Sequence, residues 1–196
     1  MKKITSIICA LVLLSSQASA ASGVFVGLDY LHAKTINKAR NDSSSGPIGG
    51  NKTDDSSSGY GVNAGLRFDP LSFYLSGEVF YENLNSSASG FAQNNQNQGA
   101  NIGLNERFGA KGNVGFTILP WLTPFVTYGV ARVKYDADQS NWKEAPLYGA
   151  GIIFDIPLTN FSVKAAYDVQ RIKFPYQNAQ STTNLGVARV GVSYTF

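Results

Sequence analysis

Charged side chains recur at alternate positions of segments whose other residues are mostly small or apolar. Glu78 and Glu82 share one such segment, and Lys111 lies in the next one. If these segments form one closed sheet, the charges point inward and must pair there, because an unpaired buried charge is very costly. Two chemistries stay open: a structural plug of ion pairs, or a gated ion path in which Glu78 exchanges partners between Arg67 and Lys111. The predicted interior charges are Asp29, Arg67, Glu78, Glu82, Lys111, Lys164, Asp168 and Arg189.

The sequence offers few residues for enzymatic or metal chemistry. His32 is the single histidine and no His-x-Ser motif is present, so we predict no catalytic residue. One histidine and no cysteine in the mature chain provide no ligand set for zinc, and we expect neither a metal nor a cofactor. We expect the acidic pairs Asp54-Asp55 and Asp136/Asp138 to be solvated rather than to form a calcium site.

The N-terminus has the features of a secretory signal peptide. Lys2 and Lys3 precede an apolar run from Ile7 to Leu14, and a small-x-small pattern ends at Ala20. The pattern predicts a signal peptide over residues 1–20 and a mature domain over residues 21–196. Its removal discards two lysines and leaves fourteen basic against thirteen acidic residues, so nucleic-acid binding gains no support.

The elements that would position the charges are eight segments in which apolar and polar residues alternate with a period of two. Long polar stretches at Lys34–Ser58 and Asn83–Asn105, with shorter ones at Asp136–Glu144 and Phe174–Thr182, alternate with tight turns. This organisation predicts an all-β fold, an eight-stranded antiparallel up-and-down transmembrane β-barrel. The alternative is a soluble barrel such as a lipocalin, whose polar face would be expected to carry many Lys and Glu residues. Here the polar face carries mostly Gly, Ser, Asn and Thr, which favours the transmembrane barrel. The predicted strands cover about 23–33, 60–68, 73–82, 108–118, 123–135, 148–156, 161–170 and a last segment ending at 196.

The facing of the fifth segment stays open. Arg132 and Lys134 share a face with the apolar residues Val126, Tyr128 and Val130. A charged residue on an otherwise apolar face is compatible with a β-bulge in this strand.

The C-terminal octet Arg189–Phe196 resembles the β-signal of bacterial outer-membrane barrels. A polar residue, a glycine two positions on and a terminal aromatic pair are present as Arg189, Gly191, Tyr194 and Phe196. With the signal peptide and the eight glycine-rich segments, the mature chain resembles the OmpA/OmpX and opacity-protein class. The resemblance implies a Gram-negative outer membrane, contact with its lipid and lipopolysaccharide, and insertion by the outer-membrane assembly machinery, which would read Tyr194 and Phe196. We expect a monomer, because a closed sheet has no free edge.

The opacity-type resemblance also implies a function for the two long predicted loops. Loops of more than twenty residues are usually functional or disordered, and here we expect adhesion to a host or neighbouring surface, or a role in envelope integrity. The alternatives are a hydrophilic shield without a defined ligand and a small gated ion channel. Basic residues of the first loop favour anionic glycans or lipopolysaccharide phosphates, and acidic residues offset them. The basic residues are Lys34, Lys38, Arg40 and Lys52, and the acidic ones are Asp42, Asp54 and Asp55.

Overall fold

Eight antiparallel strands close on themselves in the computed structural model, which describes residues 22–40, 53–70, 72–84, 103–136, 141–176 and 179–196. Each strand pairs with the next, and the last pairs with the first. The predicted all-β, eight-stranded barrel is confirmed. The strands are β1 Gly23–Arg40, β2 Thr53–Phe68, β3 Phe73–Asn83, β4 Gly103–Phe116, β5 Leu122–Asp136, β6 Asn141–Asp155, β7 Phe161–Tyr176 and β8 Ala179–Thr195.

The stagger of the strands determines how much space the barrel encloses. Following the paired residues once around the sheet from Val24 returns to β1 at Lys34, ten residues further along. Within the closing ladder, Tyr30 pairs with Val190 and Phe25 with Thr195. Eight tilted strands enclose only enough space for side chains, so the inward residues must fill the interior among themselves.

The outer surface is apolar, with aromatic side chains near both ends. Leu28 and Phe196 each expose 69% of their surface, which is the reverse of a soluble protein. Neighbouring rings pack edge to face, as Phe73 and Phe116 do at 5.7 Å. An outward apolar band between two aromatic girdles is what a transmembrane barrel requires. The girdle at the tight turns contains Phe68, Phe73, Phe116, Trp121, Phe154, Phe161 and Phe196, and that at the opposite end Tyr30, Tyr60, Tyr81, Tyr148 and Tyr167.

Several strands extend further from the tight turns than the sequence predicts. The loop predicted at Lys34–Ser58 is wrong over much of its length, since β1 continues to Arg40 and Asn37 pairs with Thr53. The loop predicted at Phe174–Thr182 is also wrong, because Tyr176 pairs with Ala179. Beyond the apolar band neither face requires hydrophobic residues, so polar residues form strand there without alternating hydropathy.

The fifth strand alternates regularly. Val126, Tyr128, Val130, Arg132 and Lys134 all point outward, and the residues between them are buried inside. The two cations find partners on neighbouring strands: Arg132 Nε lies 2.9 Å from Glu144 Oε2, and Lys134 Nζ lies 3.7 Å from Glu106 Oε1. The register shift of this region falls on β4, between Leu104 and Glu106, rather than on β5.

No helix within the described ranges has the length and apolar character needed to cross a membrane.

Candidate functional site

The structure places the eight predicted interior charges on inward positions of their strands. Seven of them expose 6% or less of their surface. The eighth, Arg67, lies nearer the tight turns, and its side chain is 10% exposed. These positions follow from strand parity alone, because alternate residues of a strand point to the same face.

Glu78 is held between two lysines in the middle of the barrel. Lys111 Nζ lies 2.8 Å from Glu78 Oε1, and Lys164 Nζ lies 2.9 Å from Oε2. Since β3 and β7 lie on opposite sides of the closed sheet, the contact between Glu78 and Lys164 crosses the lumen. Arg67, which the sequence offered as a partner of Glu78, pairs instead with Asp69 and Asp155.

A second set of ion pairs continues directly from the first. Glu82 Oε2 lies 2.7 Å from Arg107 Nη2, and Glu82 Oε1 lies 3.2 Å from Arg189 Nη2. Asp168 accepts a hydrogen bond from Arg189 and lies 3.7 Å from Lys111 Nζ, which joins the two sets. Four cations thus face four carboxylates, and this set carries no net charge. We call this set the central ion-pair network: Asp29, Glu78, Glu82, Arg107, Lys111, Lys164, Asp168 and Arg189.

Arg107 is the network residue that sequence reasoning missed. It is fully buried and donates to Glu82 through Nε at 2.7 Å. The predicted fourth strand started at Phe108 and so excluded it, whereas β4 begins at Gly103. Counting back four residues from Lys111 along the strand period would have placed Arg107 inside.

Phe80 gives the cations of the network an aromatic partner. Its ring centroid lies 5.1 Å from Lys111 Nζ, 5.3 Å from Arg107 Cζ and 5.7 Å from Arg189 Cζ. The face of an aromatic ring carries negative partial charge and attracts cations, most strongly where water is excluded. Phe80 therefore complements the carboxylates that precede and follow it on β3, Glu78 and Glu82.

Glycines on neighbouring strands provide the space that the network needs. A Cβ at Gly149 would overlap the Asp168 carboxylate, and a Cβ at Gly191 would overlap that of Asp29. The charged side chains lean across these positions, which explains why the inward face is rich in glycine. The directly paired residues of this kind are Gly61 with Glu82, Gly129 with Lys111, Gly149 with Asp168 and Gly191 with Asp29.

Arg67 forms a separate strut across the tight-turn end of the barrel. Its Nη1 and Nη2 donate to the two carboxylate oxygens of Asp155 at 2.7 and 2.8 Å, and its Nε donates to Asp69 at 2.6 Å. β2 and β6 lie on opposite sides of the sheet, so this bidentate pair also spans the lumen. Burial raises the pKa of the Asp69 carboxyl above its ordinary value, although the adjacent Arg67 guanidinium opposes the shift.

Apolar side chains enclose the network from both ends. Along β3 the inward residues run Tyr74, Ser76, Glu78, Phe80 and Glu82, and Leu84 is buried beyond them. The charges of this strand therefore lie between apolar groups. Near Arg67 and Lys164 a cavity of about 10 Å³ remains, which is roughly the space for one water. The layer nearer the tight turns, which we call the lower apolar layer, contains Tyr74, Phe125 and Ile153. The layer nearer the opposite end, the upper apolar layer, contains Leu31, Ala33, Leu84, Val133, Ala145, Ile172, Leu185 and Val187.

The remaining candidate residues do not come together. His32 is exposed on the outer face of β1, away from the network. Among the described residues no group of three or more His, Cys, Asp or Glu side chains could hold a metal ion. The side chains of Asp54, Asp55, Asp136 and Asp138 lie outside the described set.

The residues of the predicted β-signal divide between the two faces of β8. Arg189 and Gly191 face the interior, whereas Tyr194 and Phe196 face outward. The rings of Tyr194 and Phe196 lie 5.0 Å apart, and Phe161 packs against Tyr194 at the same distance. The aromatic pair is thus presented on the outside of the strand that closes the barrel.

Comparison with known proteins agrees with this architecture. Neisserial surface protein A is 14% identical, with a TM-score of 0.50, and the match covers 89% of this chain and 98% of that one. Ail, the attachment invasion locus protein of Yersinia pestis, is 16% identical over 89% and 99% of the two chains, with a TM-score of 0.47. OprG of Pseudomonas aeruginosa is 9% identical over 89% and 96%, with a TM-score of 0.47. At 14% identity, the match to Neisserial surface protein A shows the fold alone.

No curated protein sequence matches the chain. The model of the outer membrane protein beta-barrel domain, in contrast, matches residues 6–196. That match covers the whole barrel, including the closing strand and the interior charges. The chain therefore belongs to the outer membrane protein beta-barrel domain family and is a protein of the Gram-negative outer membrane.

Proposed function

We propose that this protein is a non-enzymatic adhesin that presents the end of the barrel opposite the tight turns to a host or neighbouring surface, and so contributes to envelope integrity. The observation that carries the proposal is the unequal length of the strands. A membrane crossing needs about 9–11 residues per strand. β3 has 11 residues, whereas β1 has 18 and β8 has 17.

The extra length is present in every strand except β3 and is greatest in β7, β8, β1 and β2. The described β2–β3 ladder ends at Tyr60 and Asn83, but β1 and β2 stay paired out to Asn37 and Thr53. On the other side, the β6–β7 ladder ends at Leu147 and Gln170, while β7 and β8 stay paired out to Tyr176 and Ala179. The β5–β6 ladder is extended as well, since Tyr135 pairs with Asn141, so in the described chain β3 is the short strand. Strands that extend this far beyond the outer aromatic girdle support a role in contact with external surfaces.

The packed interior favours adhesion over the alternative of a gated ion channel. A conducting path would have to pass the upper and lower apolar layers as well as a network in which Glu78 contacts two lysines. Opening such a path would separate buried ion pairs. Each buried charge that is left without its partner costs several kcal/mol.

Three further proposals follow from the sequence. We propose that residues 1–20 are a cleaved signal peptide, that the assembly machinery reads Tyr194 and Phe196, and that the barrel is a monomer. The outward position of the two rings supports the second of these, since a receptor could contact them before the strand pairs with β1.

Replacing residues 41–52 by a short Gly-Ser linker tests adhesion. This segment connects β1 to β2 outside the described residues, so we expect an intact barrel with a shift between boiled and unboiled samples in SDS gels. We expect binding of expressing bacteria to host cells or to neighbouring bacteria to fall at least tenfold, because the extended strands β1 and β2 would lose the polar segment that connects them. Residues 85–102, between β3 and β4, should be replaced separately and together with 41–52.

Replacement of residues 137–140, a four-residue connection between β5 and β6, is the matched control, and it should leave binding unchanged. Full binding after both long segments have been replaced would contradict the adhesin proposal. Identical mobility of boiled and unboiled protein would instead show that the variant had not folded, and the 137–140 variant reveals whether any replacement has that effect.

Planar bilayers distinguish adhesion from conduction. We expect the purified protein to give no reproducible conductance steps, because the apolar layers and the central ion-pair network fill the lumen. Reproducible steps that disappear in Glu78→Gln would favour the channel over the adhesin.

A further inference from the structure

β6 and β7 separate at the outer end of the barrel. Their ladder ends at Leu147 and Gln170, although both strands continue outward and stay paired on their other sides with β5 and β8. In the described chain, residues 141–146 of β6 and residues 171–176 of β7 thus each have a sheet edge that no strand covers. We call the space between these two edges the β6–β7 gap.

The hydrogen-bond pattern of β6 determines which backbone groups point into this gap. Alternate residues of an antiparallel strand direct their N–H and C=O groups to the same side. The N–H of Asp155, which faces inward, is bonded on the β5 side, whereas the N–H of the next residue, Ile156, is bonded on the β7 side. β6 keeps this alternation without a register shift. The outward residues Trp142 and Glu144 therefore direct their N–H and C=O groups into the gap.

Pro146 explains where the ladder ends. It is an outward residue of β6, so the N–H that proline lacks is one that would have bonded to β7, at the carbonyl of Arg171. Tyr148, which belongs to the outer aromatic girdle, lies two residues nearer the tight turns. The ladder is thus complete within the apolar band and opens only where water can reach the backbone.

The charged side chains that flank the gap are mainly cations. Arg171 is exposed and Lys143 is half-buried, and neither has an ion pair among the described side chains. Glu144 is the one acidic residue of the 141–146 segment, and it already pairs with Arg132 at 2.9 Å. The 171–176 segment contains two basic residues and no acidic one. An edge with this charge attracts an acidic segment.

We propose that the β6–β7 gap binds an extended acidic segment of a partner protein, which adds as a strand to the free edge of β6 and bonds to the backbone of Trp142 and Glu144. Strand addition takes its affinity from main-chain hydrogen bonds and its selectivity from side chains. A polypeptide fits this edge because its own N–H and C=O groups alternate with the same spacing. The proposal rests on the adhesin function and adds the chemical class of the partner, bound by strands rather than by residues 41–52 and 85–102.

Fluorescence anisotropy of a labelled synthetic peptide, titrated with the folded barrel in a neutral detergent, tests the site. The peptide alternates glutamate with threonine, which favours strands. We expect this peptide to bind, and the same peptide with lysine in place of glutamate to bind about tenfold more weakly. N-methylation of all amides of the acidic peptide should weaken binding by about tenfold or more, because it removes the donors that pair with β6. Both comparisons use the unmodified protein, so a folding defect cannot affect them.

Glu144→Pro removes one N–H that faces the gap and leaves the β5–β6 ladder intact, because the N–H of Glu144 is directed away from β5. We expect this variant to bind the acidic peptide about tenfold more weakly. Glu144→Gln is the matched control: it loses the same carboxylate and the pair with Arg132 but keeps the N–H, and it should bind at least as tightly as the unmodified protein. Equal binding by the two variants, with both shown to be folded by the SDS-gel shift, would overturn the proposal.

Other occupants of the gap give different results, and each of these overturns the proposal. If residues 41–52 or 85–102 fill the gap, replacing both segments by Gly-Ser linkers should create peptide binding that the full chain lacks. If a second copy fills it, the unmodified barrel should sediment as a dimer and Glu144→Pro as a monomer. Absence of peptide binding, combined with loss of adhesion after the two replacements, would reject this proposal and leave the adhesin proposal standing. Peptide binding combined with full adhesion after both replacements would reject the adhesin proposal alone.

Discussion

Glu82→Gln should lower the free energy of unfolding by about 3–5 kcal/mol. Glu82 is 1% exposed and contacts both Arg107 and Arg189, so its neutralisation leaves two buried guanidinium groups facing one fewer carboxylate. The loss is measured by urea unfolding of the barrel in phospholipid vesicles. The combined fluorescence of Trp121, in the tight-turn girdle, and Trp142, on the outer face of β6, reports the loss of lipid contact.

A charge-balanced variant separates the buried charge from the side-chain packing. Glu82→Met combined with Arg107→Met removes one carboxylate and one cation, and we expect it to recover most of the lost stability. The exposed pair provides a second comparison: Glu144→Gln breaks the contact with Arg132, whose side chain is 55% exposed, and should cost less than about 1 kcal/mol. A Glu82→Gln barrel that unfolds at the same urea concentration as the unmodified protein would show that the network does not stabilise the fold.

The part of this barrel that the sequence predicts is the part that the bilayer constrains. Between the girdles one face must be apolar, so a period of two identifies the outward residues of seven of the eight strands and, by parity, the inward Glu78, Lys111 and Asp168; the facing of β5 stayed open. The same constraint determines the register, because a slip of one residue would turn every charge toward lipid. In the structure β5 follows the same alternation, because Glu144 and Glu106 on the neighbouring strands pair with its two outward cations.

Beyond the girdles this constraint disappears, and the predictions fail there. The segment from Lys34 to Arg40 contains polar residues typical of loops, yet it forms strand because its neighbours on β2 and β8 supply backbone partners. The partners of the ion pairs within the lumen could not be predicted from the sequence either. Parity says that Lys164 points inward, but only the curvature and stagger of the closed sheet bring it to Glu78, 86 residues away along the chain.

Gly191 belongs to the predicted assembly signal and also makes room for the central ion-pair network. A Cβ there would overlap the Asp29 carboxylate, so we expect Gly191→Ala to cost about 1–3 kcal/mol and to slow refolding into vesicles, where no assembly machinery is present. Gly77→Ala is the matched control: Gly77 faces outward on β3 with no atom within 4 Å of the added Cβ, and alanine should be neutral or slightly stabilising. Because the Asp29 carboxylate accounts for the tightest overlap, with the Leu28 carbonyl oxygen the next group met, Asp29→Ala combined with Gly191→Ala should be more stable than the sum of the single losses predicts. If Gly191→Ala kept full stability in vesicles and failed only to reach the outer membrane of cells, this glycine would act as an address for assembly and not as space for Asp29.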